Sequence, residues 1–177
     1  MNIEYYNQVA KSSAYRKSRD DNKDFIFSNP HYLNHLVEIA FQTQDKNHHK
    51  ACWILELICE ERMDLFIPFI DEYCTVLKKY KSDSAIRSIS KIGLFIVKNK
   101  EIHLTETQEE QMIETYLDWI IETNKAANAV YSMRTLLILG KKHNWVNNEL
   151  VALLSRDCSH QTPAYKIAVK DILKRLK

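Results

Sequence analysis

The sequence predicts an all-α fold of about nine helices paired into short hairpins, and three observations carry that reading. Glycine is nearly absent: the 177 residues hold only Gly93 and Gly140, with three prolines, where average usage would give roughly a dozen glycines. Tight β-hairpins and phosphate-binding loops use glycine for its positive φ, so a β-rich fold and a glycine-rich nucleotide loop are both disfavoured. Apolar residues recur at i, i+3, i+4 and i+7, as in Ala51, Ile54, Leu55 and Ile58. Helix-starting residues stand at the heads of such stretches: Asn29-Pro30, Thr105 with Gln108, and Thr162-Pro163.

Taken in order, residues 3–18 read as a first helix, with Tyr6, Val9 and Ala10 on one side. The charged stretch Lys17 to Asp24 reads as a solvated connection. Asn29-Pro30 opens a second helix whose inner face is Leu33, Leu36, Val37, Ala40 and Phe41. A third runs from about Lys46 to Glu60. Asp64 can cap the next, which presents Phe66, Phe69, Ile70, Tyr73, Leu77 and Tyr80. Pro68 must lie in its first turn, and Lys78 and Lys79 close its negative end. Ser82 or Asp83 caps a helix carrying Ile86, Ile89, Ile92, Gly93 and Ile96. After a polar turn around His103, Thr105 and Gln108 have capping-box spacing, and the helix behind them holds Ile113, Tyr116, Leu117, Ile120 and Ile121. Asn124 marks a break. Helices over 126–143 and about 147–157 follow, and Thr162-Pro163 opens the last one, with Tyr165, Val169, Ile172, Leu173 and Leu176. Short connections make sequential helices pack antiparallel.

Composition bounds the function. Hydrophobic residues at 45% and charged residues at 27% are ordinary for a globular chain, and this length can build a core without disulfide or metal. A net charge of +2 is too mild to imply nucleic acid by itself. Apolar runs such as Ala51 to Ile58 are too short for a bilayer. Met1 to Tyr6 has no basic region followed by an apolar stretch, so no signal peptide is expected. Cys52, Cys59, Cys74 and Cys158 form no Cys-x-x-Cys pair, and three of them sit among apolar neighbours. They read as buried free thiols in a reducing, cytoplasmic setting, with a disulfide pair or a metal site as the competing readings.

Several helices can be laid over one another. Lys50-Ala51-Cys52, Arg87-Ser88-Ile89, Tyr131-Ser132-Met133 and Lys166-Ile167-Ala168 align at successive offsets of 37, 44 and 35 residues. Seven residues on from the first position stand Leu57, Leu94, Ile138 and Leu173, although five on the last unit departs, with Asp171 in place of Leu55, Ile92 and Leu136. A two-helix unit with a period of about 40 residues is the pattern of HEAT and armadillo arrays. The unit Lys50 to Tyr80 resembles a HEAT repeat, with Lys50-Ala51-Cys52-Trp53-Ile54-Leu55-Glu56 as first helix and Asp64-Leu65-Phe66-Ile67-Pro68-Phe69-Ile70 opening the second. Asp83-Ser84-Ala85-Ile86-Arg87 looks like the start of the next unit, and the chain is similar to small bacterial HEAT-like proteins. The resemblance implies a short right-handed α-solenoid, a single domain over 1–177 with the array over 46–177 and residues 1–45 as an N-terminal cap. The competing architecture is an irregular helical bundle.

No residue set reads as catalytic. His31 and His35 with Glu38 have a spacing that can place three ligands on one helix face, but the glutamate does not lie between the histidines, as zinc-protease chemistry requires. His48-His49 reads as a solvated first turn. There is no Gly-x-Ser-x-Gly elbow, and the neighbours Glu60-Glu61 and Glu109-Glu110 point about 100° apart on a helix, so neither pair is a dyad. A Cys-His pair formed in space stays open. A fumarase-type lyase would need a flexible glycine- and serine-rich loop that is lacking. No cofactor or metal is expected.

The basic residues carry the functional expectation. Lys50, Arg87 and Lys166 share one aligned position, Lys91, Arg134 and Lys170 lie about a turn further along, and Lys166, Lys170 and Lys174 make a stripe. Trp53 and Trp145 lie off the main apolar stripes, where tryptophan can anchor an interface. The sequence thus predicts a non-enzymatic protein-interaction module with Lys50, Trp53, Arg87, Lys91 and Arg134 as the partner-binding residues. The alternative is a nucleic-acid binder that uses the same basic ladder to track a phosphate backbone. HEAT-like glycosylases that act on alkylated DNA use a basic concave face, though this chain is shorter and nearer neutrality.

Overall fold

The computed structural model of the chain describes residues 2–122, 126–159 and 161–176. Among these residues the backbone forms ten α-helices, three 3-10 segments and no strand. None of the described helices is long and apolar enough to cross a membrane. The chain divides into two compact units, Met1–Ile92 and Gly93–Lys177.

The first unit contains α1 (Ile3–Lys11), α2 (Arg16–Ser28), α3 (Leu33–Phe41), α4 (His48–Glu61), α5 (Ile70–Val76) and the start of α6 (Asp83–Lys98). Its centre is α4. Ala51, Cys52, Ile54, Leu55, Leu57, Ile58 and Cys59 are all buried, so α4 is covered on more faces than a single amphipathic stripe requires. It packs against α1, α2, α3 and the 3-10 segment Met63–Phe69. Each fully buried Leu or Ile contributes roughly 1.5–3 kcal/mol by leaving water.

Cross-helix hydrogen bonds reveal chain direction. Tyr6 bonds to Asp45, Asn47 to Tyr6, Lys50 to the Ala10 carbonyl and Lys23 to Glu61, at sequence separations of 39, 41, 40 and 38. From α4 to α6 the separation is 31 for Trp53–Ser84 and 31 for Glu56–Arg87. A separation that stays nearly constant along two segments means that they run the same way, because antiparallel partners would converge in number. So α1 and α2 run alongside the 45–61 segment, and α4 runs parallel to α6. Tyr80 Oη donates to the Ala40 carbonyl and Tyr73 Oη to the Ile89 carbonyl, tying the intervening segments to α3 and α6.

Three sequence expectations change here. The first helix stops at Lys11, where Ser12 caps it by donating both its N–H and its hydroxyl to the Val9 carbonyl. The charged stretch Lys17 to Asp24 is not a connection but the body of α2. It holds no glycine or proline, Arg16 pairs with Asp20 one turn on at 2.8 Å, and Asn22 and Ile26 are buried. Charge marks a solvated helix face as readily as a loop. Pro68 lies inside the 3-10 segment Met63–Phe69, and α5 begins only after it, at Ile70. The extra helix brings the described α-helices to ten instead of nine.

The second unit holds the end of α6, then α7 (Glu106–Glu122), α8 (Ala126–Leu139), α9 (Asn144–Leu154) and α10 (Pro163–Arg175). Here α8 is central, packing against α7, α9 and α10, around Met112, Ile113, Tyr116, Met133, Leu136, Val146, Leu150 and Ile172. Asn124 lies outside the described residues. Helix α8 ends at Leu139 rather than at 143, and α9 spans Asn144–Leu154 rather than 147–157. The junction between them explains Gly140: Asn147 donates to the Gly140 carbonyl at 3.0 Å, and a Cβ on Gly140 would overlap the Asn147 side-chain oxygen. Two of the predicted caps form in this unit, whereas in the first unit Asn29 makes no side-chain cap and Asp64 lies inside the 63–69 segment, paired with Arg62. Thr105 N–H donates to Gln108 Oε1 at 2.8 Å while Gln108 N–H donates to Thr105 Oγ1 at 3.2 Å, and Thr162 accepts from Tyr165 N–H.

Replacing Thr105 by Ala removes one half of this reciprocal cap. It lowers the unfolding free energy by about 1 kcal/mol in urea titrations followed by circular dichroism, whereas Thr105→Ser retains most of that stability.

Candidate interaction surface

Four of the five predicted contact residues lie on α4 and α6 of the first unit, and the parallel register brings them together. Glu56 organises them. It interrupts the apolar run of α4 and is only 1% exposed. An ionised carboxylate without partners at such a place would be strongly unfavourable, and α6 supplies what it needs. Ser88 Oγ donates to Glu56 Oε2 at 2.6 Å, Arg87 Nη1 to the same oxygen at 3.3 Å, and Lys91 Nζ to Oε1 at 3.0 Å. Lys91 also reaches Glu60, one turn further along α4, at 3.3 Å. Burial would lower the Lys91 ammonium, but the Glu56 hydrogen bond and the charges of Glu56 and Glu60 outweigh it and hold the group above the usual lysine value.

The other two residues are also fixed. Trp53 is half-buried, and its indole N–H donates to Ser84 Oγ at 2.8 Å. His49 packs edge-on against it, centroid to centroid 5.0 Å. Lys50 Nζ donates to the Ala10 carbonyl at the end of α1. The basic ladder read from the sequence is therefore, in this unit, a set of cations with protein acceptors, while Arg87 keeps 41% of its side chain in solvent. Arg134 belongs to α8 in the second unit and is exposed. Lys166 donates to the Ser159 carbonyl at 2.6 Å. Trp145 is 49% exposed.

Glu56, Ser84 and Ser88 escaped the sequence reading, which followed the cations and not their acceptors. The available signal was a lone carboxylate inside the apolar run Ala51 to Cys59, which must find a partner.

The remaining chemistry is modest. His31 sits in the 3-10 turn Pro30–Tyr32 and His35 in α3, so the two do not share one regular α-helix, although His35 lies 3.7 Å from Glu38. Among the described residues no three metal-ligating side chains converge. Cys52, Cys59 and Cys74 are buried free thiols, while Cys158 is half-buried. Burial pushes Cys52 up to about 12, only partly offset by Tyr80, and Cys74 up to about 12. The thiolate, the nucleophilic form, is thereby disfavoured. In the second unit Glu109, 8% exposed, accepts from His143 Nε2 at 2.6 Å and Lys142 Nζ at 2.8 Å. A carboxylate only accepts, so His143 carries its proton on Nε2. Burial would raise Glu109, but its bonds to Lys142 and His143 hold it below the ordinary value.

Comparison with protein-family models, with curated proteins and with solved structures finds no match.

The depressed Glu109 carboxyl contributes stability that is present above its unfolded value of 4.5 and is lost as pH falls through its lower folded value. Glu109→Gln is accordingly expected to cost roughly 2 kcal/mol at pH 7, the scale of hydrogen bonds to charged groups. In urea titrations repeated from pH 7 to 3, the difference from the parent chain shrinks below pH 4.5.

Proposed function

We propose that this chain is a non-enzymatic, cytoplasmic interaction module, built as a short HEAT-like stack that presents the faces of its first helices to another protein. The parallel run of α4 and α6, with the 63–79 segment returning between them, is the local geometry such a stack needs. The buried free thiols fit a reducing compartment.

The observation that carries this reading is the fixing of Trp53 and Arg87. An aromatic ring and a guanidinium, the residue types enriched at binding hot spots, are both partly exposed, and each is held to a neighbouring helix. A side chain already held in place loses less entropy on binding. Lys50 and Lys91 act chiefly by setting that surface, and Arg134 offers a further contact from α8. The competing reading, phosphate-backbone binding, draws support from the exposed Arg134, Lys170 and Lys174. It is weakened by the acceptors that already occupy Lys50, Arg87 and Lys91.

Affinity capture of the tagged chain from its native cells, with and without nuclease, separates the two. The interaction-module reading predicts proteins retained after nuclease and reduced about tenfold by Arg87→Ala or Arg134→Glu. Retention that vanishes with nuclease and falls steeply with salt would instead establish nucleic-acid binding.

A further inference from the structure

A second surface of the first unit has the makings of a peptide groove. Two hollows, of ≈ 760 and ≈ 360 Å³, meet at Phe41 and Gln42 where α3 ends. Lys79 and Lys81, both exposed, border one end. Glu38 and Glu72 border the other, where Glu38 also stands 3.7 Å from His35 on its own helix. Phe41 and Phe69 both line the second hollow, and each ring meets the buried Phe66, so an apolar centre separates two ends of opposite charge. Asp45 also borders the lysine end, but both its oxygens already accept hydrogen bonds, from the Tyr6 hydroxyl at 2.8 Å and Asn47 N–H at 2.7 Å.

Those same bonds make the wall rigid. Thr43 N–H donates to the Phe41 carbonyl and Asp45 N–H to the Gln42 carbonyl, at 2.9 and 2.8 Å. The 41–47 turn is thus pinned internally and, through Asp45 and Asn47, to α1. Gln42 and Gln44 project from it, both exposed. A carboxamide both donates and accepts, which matches the alternating N–H and C=O groups of an extended backbone.

We infer that this groove binds an extended peptide segment of a partner protein, with acidic residues over Lys79 and Lys81, an apolar side chain over Phe41 and Phe69, and a basic residue over Glu72. Charge complementarity selects this occupant. A nucleic-acid strand or an anionic membrane would meet repulsion at the Glu38–Glu72 end, and a purely acidic peptide would satisfy only the lysine end. The groove is distinct from the Trp53–Arg87 surface, and the inference stands without that reading.

The test pans a random twelve-residue peptide library against the full chain, then measures the affinity of enriched peptides by fluorescence anisotropy. Enriched sequences should place acidic residues on one side of a large apolar residue and a basic residue on the other. Their affinity should drop at least tenfold with Lys79→Glu/Lys81→Glu and with Glu72→Lys, and should be unchanged by Lys17→Ala, an exposed position on α2. All three groove positions are exposed, and circular dichroism checks that each variant remains folded. Enrichment of purely acidic peptides, no enrichment, or affinity insensitive to these charge reversals would each overturn the proposal.

Discussion

A carboxylate taken out of water must be surrounded by donors, and that requirement governs the centre of the first unit. Glu56 is 1% exposed in the middle of the apolar run Ala51 to Cys59. Its two oxygens accept from Ser88, Arg87 and Lys91, all on α6. Apolar packing alone tolerates sliding of one helix along another at small cost, since one aliphatic contact resembles the next. A buried charge does not, because a shift by one turn would strip it of the Ser88 hydroxyl and of one of its two cations. Glu56 therefore fixes which residue of α6 stands beside which residue of α4, and Trp53 with Ser84 and Glu60 with Lys91 fall into place one turn to either side.

This register joins stability to the proposed function. Two of the cations that look available in the sequence, Arg87 and Lys91, neutralise Glu56, so the surface they form is stiffer and less positive than a count of lysines and arginines indicates. A stiff face of mixed charge with a partly exposed indole favours protein recognition over phosphate tracking. On α1 a hydroxyl does what the cations do for Glu56: Tyr6 donates to Asp45 and receives the Asn47 amide. That bond shapes the wall of the proposed peptide groove.

Local rules were legible in the sequence wherever the determining atoms are close along the chain. The Thr105–Gln108 and Thr162–Pro163 caps and the apolar face of α3 follow from spacing alone, while on α7 Ile121 shares the apolar spacing and yet is 60% exposed. Helix α2 did not, because its charged residues look like those of a loop, and only the burial of Asn22 and Ile26 against the rest of the unit separates the two. Spacing puts Pro68 in the first turn of an α-helix, whereas it lies near the end of a 3-10 segment and α5 begins only after it. The candidate surface was half legible: Trp53, Arg87 and Lys91 were marked by type and alignment. Glu56 was passed over, since nothing in a linear chain announces that residues 31 to 35 positions away will reach it. The groove at Phe41 was not legible, being made by separate segments that meet only in the fold.

The central claim, that Glu56 sets the α4–α6 register through its α6 partners, is tested most directly by a double-mutant cycle between Glu56→Gln and Lys91→Met, read as unfolding free energy in urea. The account predicts that each single substitution destabilises the chain and that the two are coupled by about 0.5–3 kcal/mol, the range for residues in one hydrogen-bonded network. Additivity within about 0.3 kcal/mol would contradict it and leave the register to apolar packing alone.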